Sequence, residues 1–437
     1  MLDIQYIRDN TGNVREAAKN KKAHVDIDEL LDVDGQRRLL LQEVEILRAK
    51  KNEVNTEITK ASNGKERKET IEKGRDIKRE LEEKEPLLKD LESRYIELMY
   101  LVPNVPSEDT PIGKDEDENV VVRSWGEKPK FSFKPKEHFD IAENLDLMDS
   151  ERAVKVSGSR FLYLKGDLVM LEWAMMMFGL QTLTNEIILK HIADDAGLEV
   201  NTKPFVPVLP PVMIRPDMHR RMGRLDPEEM YMLERDELSL IGSAEHTLGS
   251  MYADEILDEK ELPLRMVGFS SAFRREAGSY GKDMKGMLRL HQFNKLEMET
   301  FTLPEHSRAE QDFIVAIQEY LMQQLEIPYQ VVSICTGDMG KPDYRQMDIE
   351  AWMSGQNTYR EVSTSDLIGD FQSRRLNTRV RRTDGTIEFV HMNDATAFSE
   401  RPLIAILENN QQEDGSVLVP KVLQALMGKE KIEKRHV

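Results

Sequence analysis

The stretch FRREAGSYGKDMKGMLRLHQFNKLE, Phe273 to Glu297, decides how the rest of the chain is read. A strand is predicted over Arg265 to Arg274. A loop rich in Gly and charge follows, Glu276 to Asp283, and then a second strand, Arg289 to Phe301. In that second strand Leu290, Gln292, Asn294, Leu296 and Met298 share one face, and His291, Phe293, Lys295, Glu297 and Glu299 share the other. Such a pair can hold a nucleotide, with two arginines clamping phosphates and Phe293 stacking on a base. The same composition also fits a surface hairpin with ordinary charges. His291 has no second His at ligand spacing and reads as a satisfied polar residue. Met213, Met218, Met222, Met230 and Met232 read as core filler.

Toward the N-terminus, a heptad seam runs through Val33, Leu40, Val44, Leu47, Val54, Ile58 and Ala61, with charges filling the other positions. After the turn signal Ser62-Asn63-Gly64 it resumes at Ile77, Leu81, Leu88, Leu91, Tyr95 and Leu98. Two antiparallel helices of roughly 30 residues are predicted, an arm about 45 Å long. Pro86 is expected to kink the second helix or end a turn there. Pro103, Pro106 and Pro111 open a linker-like stretch with an acidic run, Asp115 to Glu118, and a short strand signal at Val120 to Val122. The expected domains are therefore 1–103 and 104–437. Beyond the linker, one apolar helix is expected over Asp167 to Asp194, then an edge or interface strand over Val206 to Ile214, which contains Pro207, Pro210 and Pro211.

The 437 residues carry 61 Lys+Arg and 80 Asp+Glu, a formal charge of −19. That balance argues against a nucleic-acid partner, because phosphate binding needs a local positive surface. Its distribution reverses the argument: Gln36 to Leu101 holds 16 basic and 15 acidic residues, so the acidity lies elsewhere. A single cysteine, Cys335, excludes a disulfide framework and a paired-cysteine zinc site and fits a reducing cytoplasm. The N-terminus resembles no export signal. Leu168 to Leu183, the most apolar stretch, is too short to span a bilayer, so no membrane association is expected.

With Arg289, His291 to Phe293 and Lys295 to Glu297, the run Phe273 to Asp283 resembles motif 2 of the class II seryl-tRNA synthetases. Arg401 to Gln412 resembles their motif 3, and the strand around Pro210-Pro211 the motif 1 interface. The resemblance covers essentially the whole chain, including the helical hairpin, which in that family grips the long variable arm of serine tRNA. It implies an α+β fold: a six-stranded antiparallel sheet flanked by helices, with an N-terminal antiparallel coiled-coil arm. It also implies a homodimer and two-step serylation from L-serine and ATP, possible also on selenocysteine tRNA. No protein nucleophile is needed, since the chemistry is positioning and charge stabilisation.

The resemblance assigns Arg274 to the α-phosphate, Glu276 to the adenine side, Phe293 to the base, and Arg401 with Arg289 to the outer phosphates. Arg275 and the run Glu361, Val362, Ser363 and Thr364 complete the ATP site, with Glu361 and Thr364 on Mg²⁺. For serine the matching positions are Ser243, Ala244, Glu245, Arg274, Glu297 and Thr396. Glu297 and Thr396 belong near the hydroxyl, Ser243 and Glu245 near the ammonium. The catalytic set is Arg274, Glu297 and Arg401. Nothing resembles the family's zinc-dependent form, so Mg²⁺ is the one cofactor implied. The chain departs from the family pattern at several points. Ser243 replaces threonine, Thr364 replaces serine, Asp366-Leu367 replaces Ser-Asn and Asp394 replaces asparagine. The loop before Arg401, holding Ser399-Glu400, is one residue short. These departures motivate one rival within the fold, a paralogue with lost or altered amino-acid specificity. A carrier-protein aminoacylating relative typically lacks the arm. From another class, the arm would serve a coiled-coil interaction protein.

Overall fold

A carboxylate cap opens the first long helix. Asp26 Oδ1 accepts from the backbone N–H of Asp28 at 2.9 Å and of Glu29 at 3.0 Å, satisfying donors that a helix start leaves without partners. In the computed structural model, which describes residues 1–60, 64–224, 227–277 and 286–434, helix α1 then runs Ile27–Lys60 and helix α2 runs Gly64–Leu101. Their 34 and 38 residues span about 51 and 57 Å at 1.5 Å per residue. This exceeds the expected length because α1 begins at Ile27, well ahead of the first seam position. Val33, Val44, Leu47 and Val54 are buried on α1, and Leu81, Leu88 and Leu98 on α2. Across the pair Arg48 meets Glu85 at 2.8 Å, Lys84 meets Glu43 at 2.6 Å and Arg94 meets Glu29, an antiparallel order. Exposed pairs of this kind contribute at most about 1 kcal/mol each, so the apolar seam holds the helices together.

Pro86 does not end a turn: α2 runs through it. Pro86 and Glu82, whose carbonyl loses its partner, are both exposed, so water can replace the missing bond. Ala61, Ser62 and Asn63 lie outside the described residues. Both helices belong to a compact unit, Met1–Pro103, and Asn104–Val437 form a second.

An eight-stranded sheet organises that second unit. Its strands are β1 (Val120–Trp125), β2 (Val206–Val208), β3 (Leu264–Phe273), β4 (Gln292–Thr302), β5 (Tyr329–Ser333), β6 (Arg345–Met353), β7 (Thr358–Gly369) and β8 (His391–Phe398). In space they run β1-β5-β6-β7-β8-β4-β3-β2. All neighbours are antiparallel except β2, which lies parallel to β3. The six antiparallel strands implied by the resemblance are the inner ones, with β1 and β2 added at the edges. Side-chain alternation sends Leu296 and Met298 of β4 into the main core, and Lys295, Glu297 and Glu299 to the opposite face. Helices α3 (Asp167–Leu183), α4 (Glu186–Asp195), α5 (Ser307–Gln324) and α6 (Arg401–Asn409) contribute apolar residues to that core. Gly179 lets α3 settle on the sheet: a Cβ there would meet Leu296 Cδ2 at 2.8 Å and Phe398 Cδ2 at 2.9 Å.

Three expectations are corrected here. The helix over Asp167 to Asp194 is two helices, because Asn185 caps α4 by accepting from the N–H of Ile187 and Ile188 at 3.0 and 3.3 Å. The strand over Val206 to Ile214 is divided by Pro210 and Pro211, which have no N–H to donate; Met213–Ile214 joins a separate three-stranded sheet. Strand β4 begins at Gln292, so Arg289 stands ahead of it. No helix among the described residues is long and apolar enough to cross a membrane.

Candidate active site

The sheet face opposite the main core carries a cleft lined by Arg274, Glu276, Arg289, Phe293, Glu361 and Arg401. Arg274, just past the end of β3, enters it with its backbone fixed. Its N–H donates to His291 O at 3.0 Å, and His291 Nδ1 donates to Arg274 O at 3.0 Å. Its guanidinium gives Nε to Gly242 O at 3.1 Å and lies 5.5 Å from the centre of the Phe293 ring. Arg289 reaches Glu276 Oε2 at 3.0 Å. Arg401, the first residue of α6, reaches Glu361 Oε2 at 2.9 Å and its carbonyl at 3.0 Å. The Arg401 charge holds the Glu361 carboxyl below its ordinary range. Three guanidiniums and an aromatic ring converge on one cleft, a suitable arrangement for a polyphosphate carrying a flat base.

Deeper in, Glu297 is 1% exposed, accepts from Thr396 Oγ1 at 3.2 Å and is ion-paired with Lys295. Sequence reasoning assigned Lys295 no role. Burial, then repulsion from Arg274, brings its amine down to about 7, while Glu245, Asp394 and Glu361 pull the other way. It therefore sits electrically between Arg274 of the cleft and the Glu245 side. Its signal in the sequence was its place two residues before Glu297, on the same strand face.

Of the residues singled out from sequence, Arg274, Glu276, Arg289, Phe293, Glu361, Val362, Thr364, Thr396 and Arg401 line the cleft. Ser243, Ala244, Glu245 and Glu297 are buried without lining it, Glu245 N–H donating to Ser243 Oγ at 3.4 Å. Arg275 is exposed, its backbone N–H on Glu229 O at 3.0 Å. Ser363 is buried and donates to Thr396 O at 3.0 Å. The loop residues Gly278 to Asp283 lie outside the described residues.

Arg224 is the largest residue that sequence reasoning missed. Its Nε donates to Glu245 at 2.6 Å, and its other nitrogens to Asp366 at 2.6 Å, to both oxygens of Asp394 at 2.8 and 2.6 Å, and to Asp343. In register, Glu297 pairs with Thr396, and one strand step on, Glu299 pairs with Asp394, which also pairs with Asp366. Burial pushes Asp394 up to about 7 and raises Asp366 and Glu299 well above the carboxylate range. Both Glu299 carboxyl oxygens are buried without a hydrogen-bond partner. Two of the sequence departures, Asp366 and Asp394, thus have a shared explanation: they are ligands of one buried guanidinium.

No group of three or more His, Cys, Asp or Glu able to hold a metal ion occurs among the described residues. Mg²⁺ needs only one or two carboxylates when phosphates supply the rest. Glu361 and Asp348 fit that role. Burial and the charge of Glu361 push Asp348 well up, a repulsion that a divalent cation would relieve. Thr364, paired with Asp348 across β6 and β7, adds a hydroxyl.

Comparison with known proteins gives consistent matches. The family described as tRNA synthetase class II core domain (G, H, P, S and T) matches residues 231–410, and Seryl-tRNA synthetase N-terminal domain matches residues 1–106. The serine--tRNA ligase of Dictyoglomus thermophilum is 40% identical over 433 residues, 98% of each chain. That of Nitrosopumilus maritimus is 37% identical over 436 residues, covering 99% of this chain and 100% of its own. Among solved structures, seryl-tRNA synthetase from Pyrococcus horikoshii complexed with ATP superposes with a TM-score of 0.88 at 38% identity, both chains fully covered.

Proposed function

The chain belongs to the seryl-tRNA synthetase family of class II aminoacyl-tRNA ligases, and from that premise we propose how its residues activate serine and transfer it to tRNA. Serine's carboxylate attacks the α-phosphorus of ATP, forming the acyl-phosphate bond of seryl-adenylate and releasing pyrophosphate. The terminal ribose hydroxyl of serine tRNA then attacks the seryl carbonyl, and AMP leaves. Arg274 neutralises the α-phosphate, Arg289 and Arg401 hold the outer phosphates, Glu276 lies on the adenine side and Phe293 stacks on the base. Glu361 and Thr364, with Asp348, would hold Mg²⁺, which when bound screens phosphate charge.

Glu297 and Thr396 receive the serine hydroxyl, and Ser243, Ala244 and Glu245 the ammonium end. The observation that carries this reading is the buried Glu297–Thr396 pair beside the arginine-lined cleft. A buried carboxylate built to pair a hydroxyl rejects alanine by about 10⁴ or more, because alanine leaves one of its buried acceptor positions unfilled. The arm Ile27–Leu101 takes the tRNA, and the same arm would serve selenocysteine tRNA. Exposed Met170, Trp173 and Met177, in one stripe of α3, support a homodimer. The buried free Cys335 fits a cytoplasmic enzyme.

The test is ATP–pyrophosphate exchange with serine, threonine, alanine and glycine, in wild type and Glu297→Ala. Serine-specific exchange that falls at least 100-fold in the variant is expected. Folded, ATP-binding protein that exchanges with no amino acid would instead favour a paralogue with lost or altered specificity.

A further inference from the structure

Residues 128–136 read KPKFSFKPK, four lysines without an acid, in a unit whose residues 104–437 carry 40 Lys+Arg against 57 Asp+Glu. Exposure alternates along this run. Lys128, Lys130, Lys134 and Lys136 are exposed, while Pro129, Phe131, Phe133 and Pro135 are half-buried. Among the described residues, no carboxylate lies within ion-pair distance of any of the four ammonium groups, whereas Lys165, Lys190, Lys429 and Lys431 of the same unit are all paired. The Phe131 and Phe133 rings stand 5.2 Å apart between the two lysine pairs.

This run is held at both ends by residues next to the cleft lining. Lys128 places its ammonium 3.7 Å from the Trp352 ring and 4.8 Å from that of Tyr359. Tyr359 shares a face of β7 with Glu361, which lines the cleft, so the Lys128 ammonium rests on the side chain one two-residue strand step, about 7 Å, along β7 from a cleft residue. At the other end Gln411 accepts from Lys136 N–H at 2.8 Å and donates to Lys136 O at 3.0 Å. Two residues on, His138 Nε2 accepts from the N–H of Met287, a cleft residue, at 3.2 Å. Gly355, in the turn between β6 and β7, leaves room for this: a Cβ there would meet Lys136 O at 2.4 Å.

Unpaired cations interleaved with half-exposed aromatic rings are what single-stranded nucleic acid binds, phosphates to the ammonium groups and bases to the rings. We infer that residues 128–136 form a strip that receives the single-stranded 3′ end of the tRNA at the mouth of the cleft. This rests on the proposed function and adds to it a contact surface outside the arm and outside the nucleotide residues.

The experiment compares wild type with the triple variant Lys130→Gln, Lys134→Gln, Lys136→Gln, all at exposed positions. Serine-dependent pyrophosphate exchange, which needs no tRNA, is expected to stay within about twofold. The KM for tRNA in charging is expected to rise at least tenfold. The slope of log KM against log salt should fall by about 2, three phosphate contacts at roughly 0.7 each. Lys→Glu at the same sites should raise KM further. An unchanged tRNA KM and salt slope in an active variant overturns the strip, as does a rise in the KM for ATP instead. Wild type that charges no serine tRNA would overturn the proposed function first, and this inference with it.

Discussion

Glu400 is 6% exposed, and among the described residues its carboxyl accepts only the Asn294 N–H, at 2.8 Å. Burial, then the nearby Glu172 carboxyl, pushes it up to about 8. A carboxyl raised in the folded state binds more protons folded than unfolded across the window from its ordinary value, 4.5, to about 8. Its stabilising effect is therefore complete below that window and is lost as pH rises through it. Glu400→Gln keeps the acceptor and cannot ionise, so wild type should lose about 2 kcal/mol relative to the variant between pH 6 and pH 8. Urea unfolding at both pH values checks this, and parallel pH profiles would refute it. At this scale the site was legible where its residues fall in one continuous run, as Arg274, Arg289, Phe293 and Glu297 do. Arg224 was not, because its partners Asp343, Asp366 and Asp394 are 119, 142 and 170 residues away, and no local spacing encodes a contact made by folding.

A heptad seam is a local signal, and the arm it predicts is the arm that forms. Its core is small: Val44, Leu47, Leu81 and Leu88, with Leu40, Leu41 and Ile77 packed against them. Leu81→Ala should cost the hairpin about 2–4 kcal/mol, since so thin a core cannot collapse around the space left. Because the cleft residues all lie in the other compact unit, serine-dependent exchange should be unchanged while the KM for tRNA rises. Equal losses in both activities would show the arm to be needed for the catalytic unit's own folding. The sheet is the opposite case. Strand β4 lies between β3 and β8, and its pairing with β8 joins Leu296 to Phe398, a partnership that alternation along either strand cannot specify. Prolines also act differently by place. Pro210 and Pro211 divide a strand because a ladder needs their donors, whereas Pro86 leaves an exposed helix intact because water can replace one lost bond.

Across the whole molecule, charge and apolar surface are distributed unevenly. Residues 1–103 hold 21 Lys+Arg and 23 Asp+Glu, so most of the net −19 lies in the unit that carries the arginine-lined cleft proposed for ATP, itself an anion. Attraction there must come from local arrangements such as the three cleft arginines, because the average field repels polyanions. The apolar surface argues for assembly in a similar way. Helix α3 buries Leu168, Leu171 and Met175 in the main core, yet Met170, Trp173 and Met177, spaced three and four residues apart, are 49%, 51% and 44% exposed. Trp173 rests on Phe269 of β3, with ring centres 5.2 Å apart. Beside β3 runs edge strand β2, where Val206 is exposed, as is Leu209 just after it. Exposed apolar surface of this kind marks a contact site, and a second copy of the same chain offers a self-complementary cover. Wild type should therefore sediment at about twice the 50.5 kDa chain mass. Trp173→Glu places a charge at the centre of that contact, which costs several kcal/mol when desolvated without a partner. It should sediment as a monomer at micromolar concentration while keeping its far-UV circular dichroism. A monomeric wild type, or a variant that stays dimeric, would mean that this stripe is not the contact.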